Sequence, residues 1–283
     1  GPYDGYAKDE RGYGRETEWM AVPRFIQTDG SLYEPRNIGA ALAYINRPDF
    51  GSRPFVFEAV TQHNYPFDWW ISENIVSIRP GWFYHTHEDD KVKSLENLLD
   101  IYYCSVGRGG PLLLNIPPDR RGRIHENDAQ RLREMGKVLR ATFATDLARG
   151  AKATASQVRD GNAAYAAVNT VDGDNRTYWM ADDGTEAATL EYDLGGEKTF
   201  NRVVLQEFVQ RGQRVEEFVV EVWDGQKWVE AARGTTIGYK RILCIADVKA
   251  QKVRVRILRS RICPTLATFG LYFAPPVSEI LGQ

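Results

Sequence analysis

Two histidines and an acidic run fall within five residues, His85-Thr86-His87-Glu88-Asp89. A metal could use such groups, but structural zinc sites take four spaced ligands. Two histidines beside an aspartate that opens a helical pattern read better as a polar loop entering a helix. Just upstream, Ile78-Arg79-Pro80-Gly81-Trp82-Phe83-Tyr84-His85 concentrates one cation, three aromatic rings and an imidazole. A second rich stretch is Thr170-Val171-Asp172-Gly173-Asp174-Asn175-Arg176-Thr177-Tyr178-Trp179. Its aspartates suit a turn, because Asp hydrogen-bonds backbone two residues on. Cys104, Cys244 and Cys263 each lie in an apolar run and have no CxxC partner, which argues against zinc and redox chemistry. Buried free thiols are expected, with a Cys244–Cys263 bridge open if their strands are neighbours.

The elements that must hold these residues differ between the two halves. Across 1–148, short apolar runs at Phe55–Val60 and Pro111–Asn115 read as buried strands. Asp89–Val106 reads as a helix through Val92, Leu95, Leu98, Leu99, Tyr102 and Val106, with Asp89 and Asp90 at its electropositive start. A second helix is expected from about Glu126 to Asp146, with Asn127 as its cap and Leu132, Met135, Leu139 and Phe143 as its apolar stripe. Strand, loop and helix in repetition is the rhythm of an α/β barrel. From 149 to 276 the pattern changes to short alternating strands, at Thr189–Leu194, Phe218–Trp223, Lys227–Ala231, Lys252–Leu258 and Thr268–Phe273. Asp224-Gly225 between two of them signals a hairpin. About seven to eight strands suggest an antiparallel β-sandwich or jelly roll. The basic residues of 252–261 read as a solvated strand face. Gly150, just past a helical pattern, marks the junction, and 277–283 form a tail.

The expected fold class is therefore α/β plus all-β: the C-terminal part of a (β/α)8-like barrel over 1–148, then an antiparallel β-sandwich over 149–276. A whole barrel takes about 250 residues, so several barrel strands are expected to be missing. A net charge of −2 points to neither nucleic acid nor an acidic membrane surface. No run of 18 apolar residues is present, so no membrane span is expected.

The string Val76-Ser77-Ile78-Arg79-Pro80-Gly81-Trp82-Phe83-Tyr84-His85, followed by Val106-Gly107-Arg108-Gly109-Gly110-Pro111-Leu112-Leu113-Leu114-Asn115-Ile116-Pro117-Pro118-Asp119, resembles the α-L-fucosidases of glycoside hydrolase family 29. Their pattern is SIRPGWFYH, a helix, a glycine-rich turn and LLLNxPPD. Asp9-Glu10-Arg11-Gly12 and Glu18-Trp19 resemble the family's NE-x-G segment and the E-W after it, with Asp9 where Asn is usual. In the branch acting on 1,3- and 1,4-linked fucose that glutamate is the general acid/base, which implies this role for Glu10. Glu73, in Trp70-Ile71-Ser72-Glu73-Asn74, matches a second glutamate and is the runner-up. The resemblance implies a retaining mechanism whose attacking Asp lies in a WFDG-like segment. Trp69, Trp70 and Asp68 do not recreate that segment, so the nucleophile is expected upstream of Gly1 and the chain alone is expected to be inactive. A fragment or one chain of a nicked enzyme is the expectation, completed by a missing N-terminal part.

The same resemblance implies that Trp82 packs on the sugar's apolar face, with a structural core role as the alternative. His85 either hydrogen-bonds a sugar hydroxyl or belongs to a loop. The substrate implied is a fucosylated oligosaccharide or glycoprotein glycan, met in a secreted or periplasmic setting, with no cofactor required. The 170–179 stretch resembles the DGD-x-x-T-x-W segment of discoidin-like domains of the coagulation-factor 5/8 type C kind. It implies a structural calcium on Asp172, Asp174 and Thr177, with an Asp-stabilised turn as the alternative. The sandwich would then be a carbohydrate-binding or a purely structural module.

Overall fold

The structure, a computed structural model, describes residues 20–23, 67–70 and 74–282, the first two stretches by their backbone alone. Glu10, Glu73 and the strand expected at Phe55–Val60 lie outside the described residues. The chain forms two compact units, Gly1–Ala129 and Gln130–Gln283.

In the first unit, strands β1 (Met20–Pro23) and β2 (Phe67–Trp70) pair antiparallel. Strands β3 (Asn74–Ser77) and β4 (Leu112–Asn115) pair parallel, in register from Asn74 opposite Leu112 to Ser77 opposite Asn115. Helix α1 (Leu95–Ser105) connects them. Parallel strands need such a crossover, and β3–α1–β4 is the repeating unit of a (β/α)8 barrel.

The start of α1 departs from the sequence expectation. Asp89 and Asp90 do not open the helix. Ser94 caps it, its hydroxyl accepting from the Asn97 N–H at 3.1 Å. The preceding segment is held elsewhere: the Lys93 N–H donates to the Ile78 carbonyl, and Lys93 Nζ to the Ser77 carbonyl at 2.7 Å. Leu95, Leu98, Ile101 and Cys104 then fall on the buried face at helical spacing.

Helix α2 (Glu126–Thr142) begins where expected and ends four residues early. Asp146 is not helical. Its Oδ1 accepts from the N–H groups of Ala148 and Leu271, which ties that turn to a strand of the second unit. Asn127 lies inside the first turn instead of capping it, and its Nδ2 donates to the Asp89 carbonyl at 2.6 Å. No helix among the described residues is long and apolar enough to cross a membrane.

The second unit is an antiparallel β-sandwich built on two long bent strands, β7 (Ala188–Gln206) and β10 (Arg241–Ser260). Their register jumps between Lys252–Asp193 and Ala250–Lys198, so four residues of β7, 194–197, stand opposite Gln251 alone. Gly195, at φ +76°, takes a backbone conformation that L side chains rarely adopt. On one side of the bend the sheet runs β5 (Lys152–Ala155), β7, β10, β8 (Val215–Trp223), β9 (Trp228–Gly234). On the other side β12 (Thr268–Tyr272) joins the outer half of β7, which pairs with the first half of β10. The two halves face each other across one core. Tyr192 from the first half stacks on Phe269 of β12 at 3.9 Å between centroids. Leu190, Phe200, Val203, Phe218, Val253, Val255 and Ile257 fill the space around them.

The expected β8–β9 hairpin is present: Asp224 Oδ1 accepts from the Gln226 and Lys227 N–H groups, and Gly225 has φ +100°. The short strands β6 (Trp179–Met180) and β11 (Thr265–Leu266) close one end. Trp179 is fully buried and donates its indole N–H to the Gln157 carbonyl. The basic residues of β10 form paired rows, Arg254 and Arg256 meeting Glu221. A short helix α3 (Val277–Leu281) follows. None of the three cysteines forms a disulfide; Cys104 and Cys263 are buried, but Cys244 is exposed. It lies on the first half of β10 opposite Arg202, so the buried thiol expected there is not found, and the bridge to Cys263 left open by the sequence does not form.

Candidate active site

Barrel enzymes carry their chemistry at the C-terminal ends of the parallel strands. Ser77 and Asn115 are the last residues of β3 and β4 and stand opposite each other. The Ser77 hydroxyl donates to the Gly81 carbonyl at 2.6 Å, and Asn115 Nδ2 donates to Ser77 Oγ at 3.2 Å and to the Trp82 carbonyl at 2.9 Å. The loop that follows β3 is thus fastened over both strand ends. It presents Trp82, 44% exposed, and Phe83, 78% exposed. Gly81 lies over the carboxylate of buried Glu88, whose oxygens are within ordinary contact distance of where a Cβ would stand, at 3.5 and 3.6 Å. Glu88 Oε2 has no hydrogen-bond partner among the described residues.

Arg79 holds the loop from beneath. It is completely buried, as is Asp128 on α2, and its Nε donates to both Asp128 oxygens at 3.2 and 2.9 Å. Its Nη1 donates to Asp89 at 2.9 Å and to the His85 carbonyl at 3.4 Å, and its guanidinium lies 4.8 Å from the Tyr84 ring centroid. Tyr84 donates its hydroxyl to the other Asp89 oxygen. Burial works to raise the Asp89 pKa, but the hydrogen bonds from Arg79 and Tyr84 and the nearby charges of His125 and Arg79 outweigh it and hold it low. The Asp119 turn after β4 is fixed in the same manner. Arg121 donates twice to its carboxylate, and this, against burial, brings its pKa down to about 2.

Trp82 and His85 are brought together on this loop. The His85 ring stacks on His87 at 5.4 Å and is exposed. Among the described residues, no group of three or more His, Cys, Asp or Glu is placed to hold a metal. Asp89, which the sequence reading left at a helix start, is an anchor for Arg79. Asp128 was not singled out at all; no local pattern could reveal it, because its partner is 49 residues away.

In the second unit, Asp172, Asp174 and Thr177 do meet. Asp172 accepts from the Asp174 N–H and from the Thr177 hydroxyl, and Thr177 also donates to the Asp174 carbonyl. The Asp174 carboxylate is taken by both the Nε and Nη2 of Arg176, which lowers its pKa to about 2. That arrangement is a turn closed by its own side chains. Calcium needs six to eight oxygens, and a guanidinium occupies one of the two carboxylates offered, so the donor set does not fit the ion as it stands. Elsewhere in this unit a cavity of about 580 Å³ is lined by Arg159, Tyr165, Asp183, Glu186, Arg211 and Arg214 among others.

Residues 56–142 match the alpha-L-fucosidase family model, and residues 152–267 match the F5/8 type C domain model. A curated putative alpha-L-fucosidase 1 from Oryza sativa subsp. japonica is 40% identical over 207 residues, 72% of this chain and 40% of the rice protein. Alpha-L-fucosidase 1 from Arabidopsis thaliana is 33% identical over 212 residues, 74% of this chain and 42% of its own length. The chain spans about two-fifths of the length of these curated relatives. Among solved structures, a Ruminococcus gnavus family 29 fucosidase in complex with fucose superposes with a TM-score of 0.69 at 32% identity, over 74% of this chain and 42% of that one. By these matches the chain joins a segment of the α-L-fucosidase family, glycoside hydrolase family 29, to a discoidin-like F5/8 type C domain.

Proposed function

We propose that the chain serves a retaining α-L-fucosidase removing terminal α-1,3/1,4-linked fucose from oligosaccharides or glycoprotein glycans, in a secreted or periplasmic setting. The observation that carries this reading is the Trp82–His85 loop, presented at the ends of parallel β3 and β4 within a segment of the fucosidase family. Retention takes two carboxyl groups about 5–5.5 Å apart. A carboxylate attacks the anomeric carbon, the glycosidic C–O bond breaks, and an acid protonates the departing oxygen. Water then attacks the anomeric carbon, its bond to the attacking carboxylate breaks, and the acid, now deprotonated, takes the water's proton. Glu10 is proposed for that acid/base role, with Glu73 as the second choice and the attacking Asp supplied by polypeptide outside these 283 residues. Trp82 would cover the C6 methyl of fucose with its indole, and His85 would hydrogen-bond a ring hydroxyl. In a preparation that turns over a natural fucoside, Glu10→Ala is expected to lower turnover by about 10²–10⁴-fold. Azide should restore the reaction of an aryl fucoside and give the fucosyl azide of retained configuration. Undiminished turnover would remove Glu10 from the mechanism.

A second reading makes the sandwich a carbohydrate-binding module. It is favoured by the cavity that Arg159, Asp183, Glu186 and Arg211 line beside Tyr165, charged groups of both signs next to one aromatic wall. Calorimetric titration of the chain with fucosylated oligosaccharides should then give heat that Arg211→Ala abolishes and Trp82→Phe leaves intact. Heat lost only in the Trp82 variant would assign all binding to the first unit.

A further inference from the structure

We propose that Asn115 is the positioning residue of the fucose site: its amide sets where Trp82 stands. This rests on the reading of Trp82 as a sugar contact. The orientation of the amide is fixed by chemistry, because a backbone carbonyl such as that of Trp82 can only accept. The group 2.9 Å from that carbonyl is therefore the Asn115 NH₂, whose second hydrogen goes to Ser77 Oγ. Ser77 in turn passes its own hydrogen to the Gly81 carbonyl. Two consecutive carbonyls of an exposed loop are thus hung from two strand ends in parallel register. Trp82 itself is nearly half out in water, so packing covers only part of the indole and the clamp on its backbone adds positional information. The geometry leaves the Asn115 Oδ1 with no hydrogen-bond partner among the described residues, on the face where a barrel presents its ligands.

Asparagine and aspartate have nearly the same shape, which makes the two substitutions Asn115→Asp and Asn115→Ala diagnostic. A packing role predicts that Asp is tolerated better than Ala. The clamp predicts the reverse above the carboxyl pKa, because a carboxylate oxygen would face the Trp82 carbonyl. It also predicts recovery of Asn115→Asp at low pH, where a protonated carboxyl can donate again. The Trp82 signal is isolated as the near-ultraviolet circular dichroism of the chain minus that of Trp82→Phe. Asn115→Asp should collapse this difference at neutral pH and restore it in acid. Affinity for L-fucose should fall about tenfold, the worth of one lost hydrogen bond, and in an active preparation the change should appear in KM more than in kcat. An unchanged Trp82 signal, or an Asp variant milder than Ala at neutral pH, overturns the proposal. A collapsed signal with undiminished fucose affinity overturns the positioning role as well. If the wild-type chain binds no fucose and supports no turnover, the fucosidase reading fails, while the dichroism still decides whether Asn115 holds Trp82. Ser77→Ala, which removes the middle link and spares the bond to Trp82, should give a partial loss of signal if the Asn115 variants do not fold.

Discussion

Replacing Arg79 with alanine is expected to cost the first unit about 3–5 kcal/mol, the range for breaking a fully buried ion pair. The reason is what the change leaves behind. Asp128 is as completely buried as Arg79 and takes both of its oxygens' bonds from the same Nε. Without the guanidinium it becomes a carboxylate out of water with its cation gone. Asp89, Tyr84 and the His85 carbonyl lose their common partner in the same step, so the Trp82–His85 loop is expected to loosen as well. Arg79→Lys should recover only part of the loss, since an ammonium cannot reach Asp128 and Asp89 with one planar fork. The double variant Arg79→Met with Asp128→Leu is the sharper comparison. Removing both charges spares the unit a buried uncompensated ion, and the pair is expected to lie much closer to wild type than Arg79→Ala in urea unfolding. If the double variant is as unstable as the single one, the ion pair is not what holds this region. The loop would suffer in both, so on the proposed fucosidase reading fucose binding should be impaired even where stability returns.

Much of this arrangement was written in local patterns, and the parts that were not have a common cause. The periodicity of Leu95, Leu98 and Tyr102 disclosed α1, although not Ile101 on its buried face, and Asp224-Gly225 disclosed the β8–β9 turn, because both depend on neighbours a few residues apart. The loop with Trp82 and His85 was recognisable as a string. What fastens it was not. Arg79 reaches Asp128 across 49 residues, and Asn115 reaches Trp82 across 33. Such pairings exist only after β3 and β4 have found each other. The misplaced start of α1 has the same origin: Asp89 is a good first-turn residue, but the tertiary partner Arg79 takes it and Ser94 caps the helix instead. The long strands of the sandwich hid in a similar way. Only the alternating half of each was evident, at Thr189–Leu194 and Lys252–Leu258. Their continuations pass a bulge at 194–197, where Gly195-Gly196 breaks the period that identifies a strand.

Glu207 carries the second large effect, and it gives the sandwich a dependence on pH. Its Oε1 accepts from the Arg214 and Val215 N–H groups and its Oε2 from the Gly238 N–H, at 2.8, 3.0 and 2.7 Å. One buried carboxyl thus joins the end of β7, the start of β8 and the loop before β10. Glu207→Ala leaves three backbone donors without a partner and is expected to destabilise the unit by about 3–5 kcal/mol. Burial pushes the Glu207 pKa up to about 7, although the three N–H groups and the Arg214 charge pull the other way. The unfolded chain ionises this group near its ordinary value of about 4.3. Between those two values the folded state binds more protons than the unfolded one, so stability falls as pH rises. The contribution is complete below about pH 4 and is lost as pH passes through about 7. At 1.36 kcal/mol for each unit of pKa, the chain should lose up to about 3 kcal/mol from this group between pH 4 and pH 8. Urea midpoints across that range test it against Glu207→Gln. The glutamine cannot ionise, so its midpoint should start lower, because its NH₂ faces the Gly238 N–H, and then stay flat. A wild-type midpoint as flat as that of Glu207→Gln from about pH 5 to pH 8 would mean that folded Glu207 is already ionised at the acid end, with the three N–H groups winning over burial.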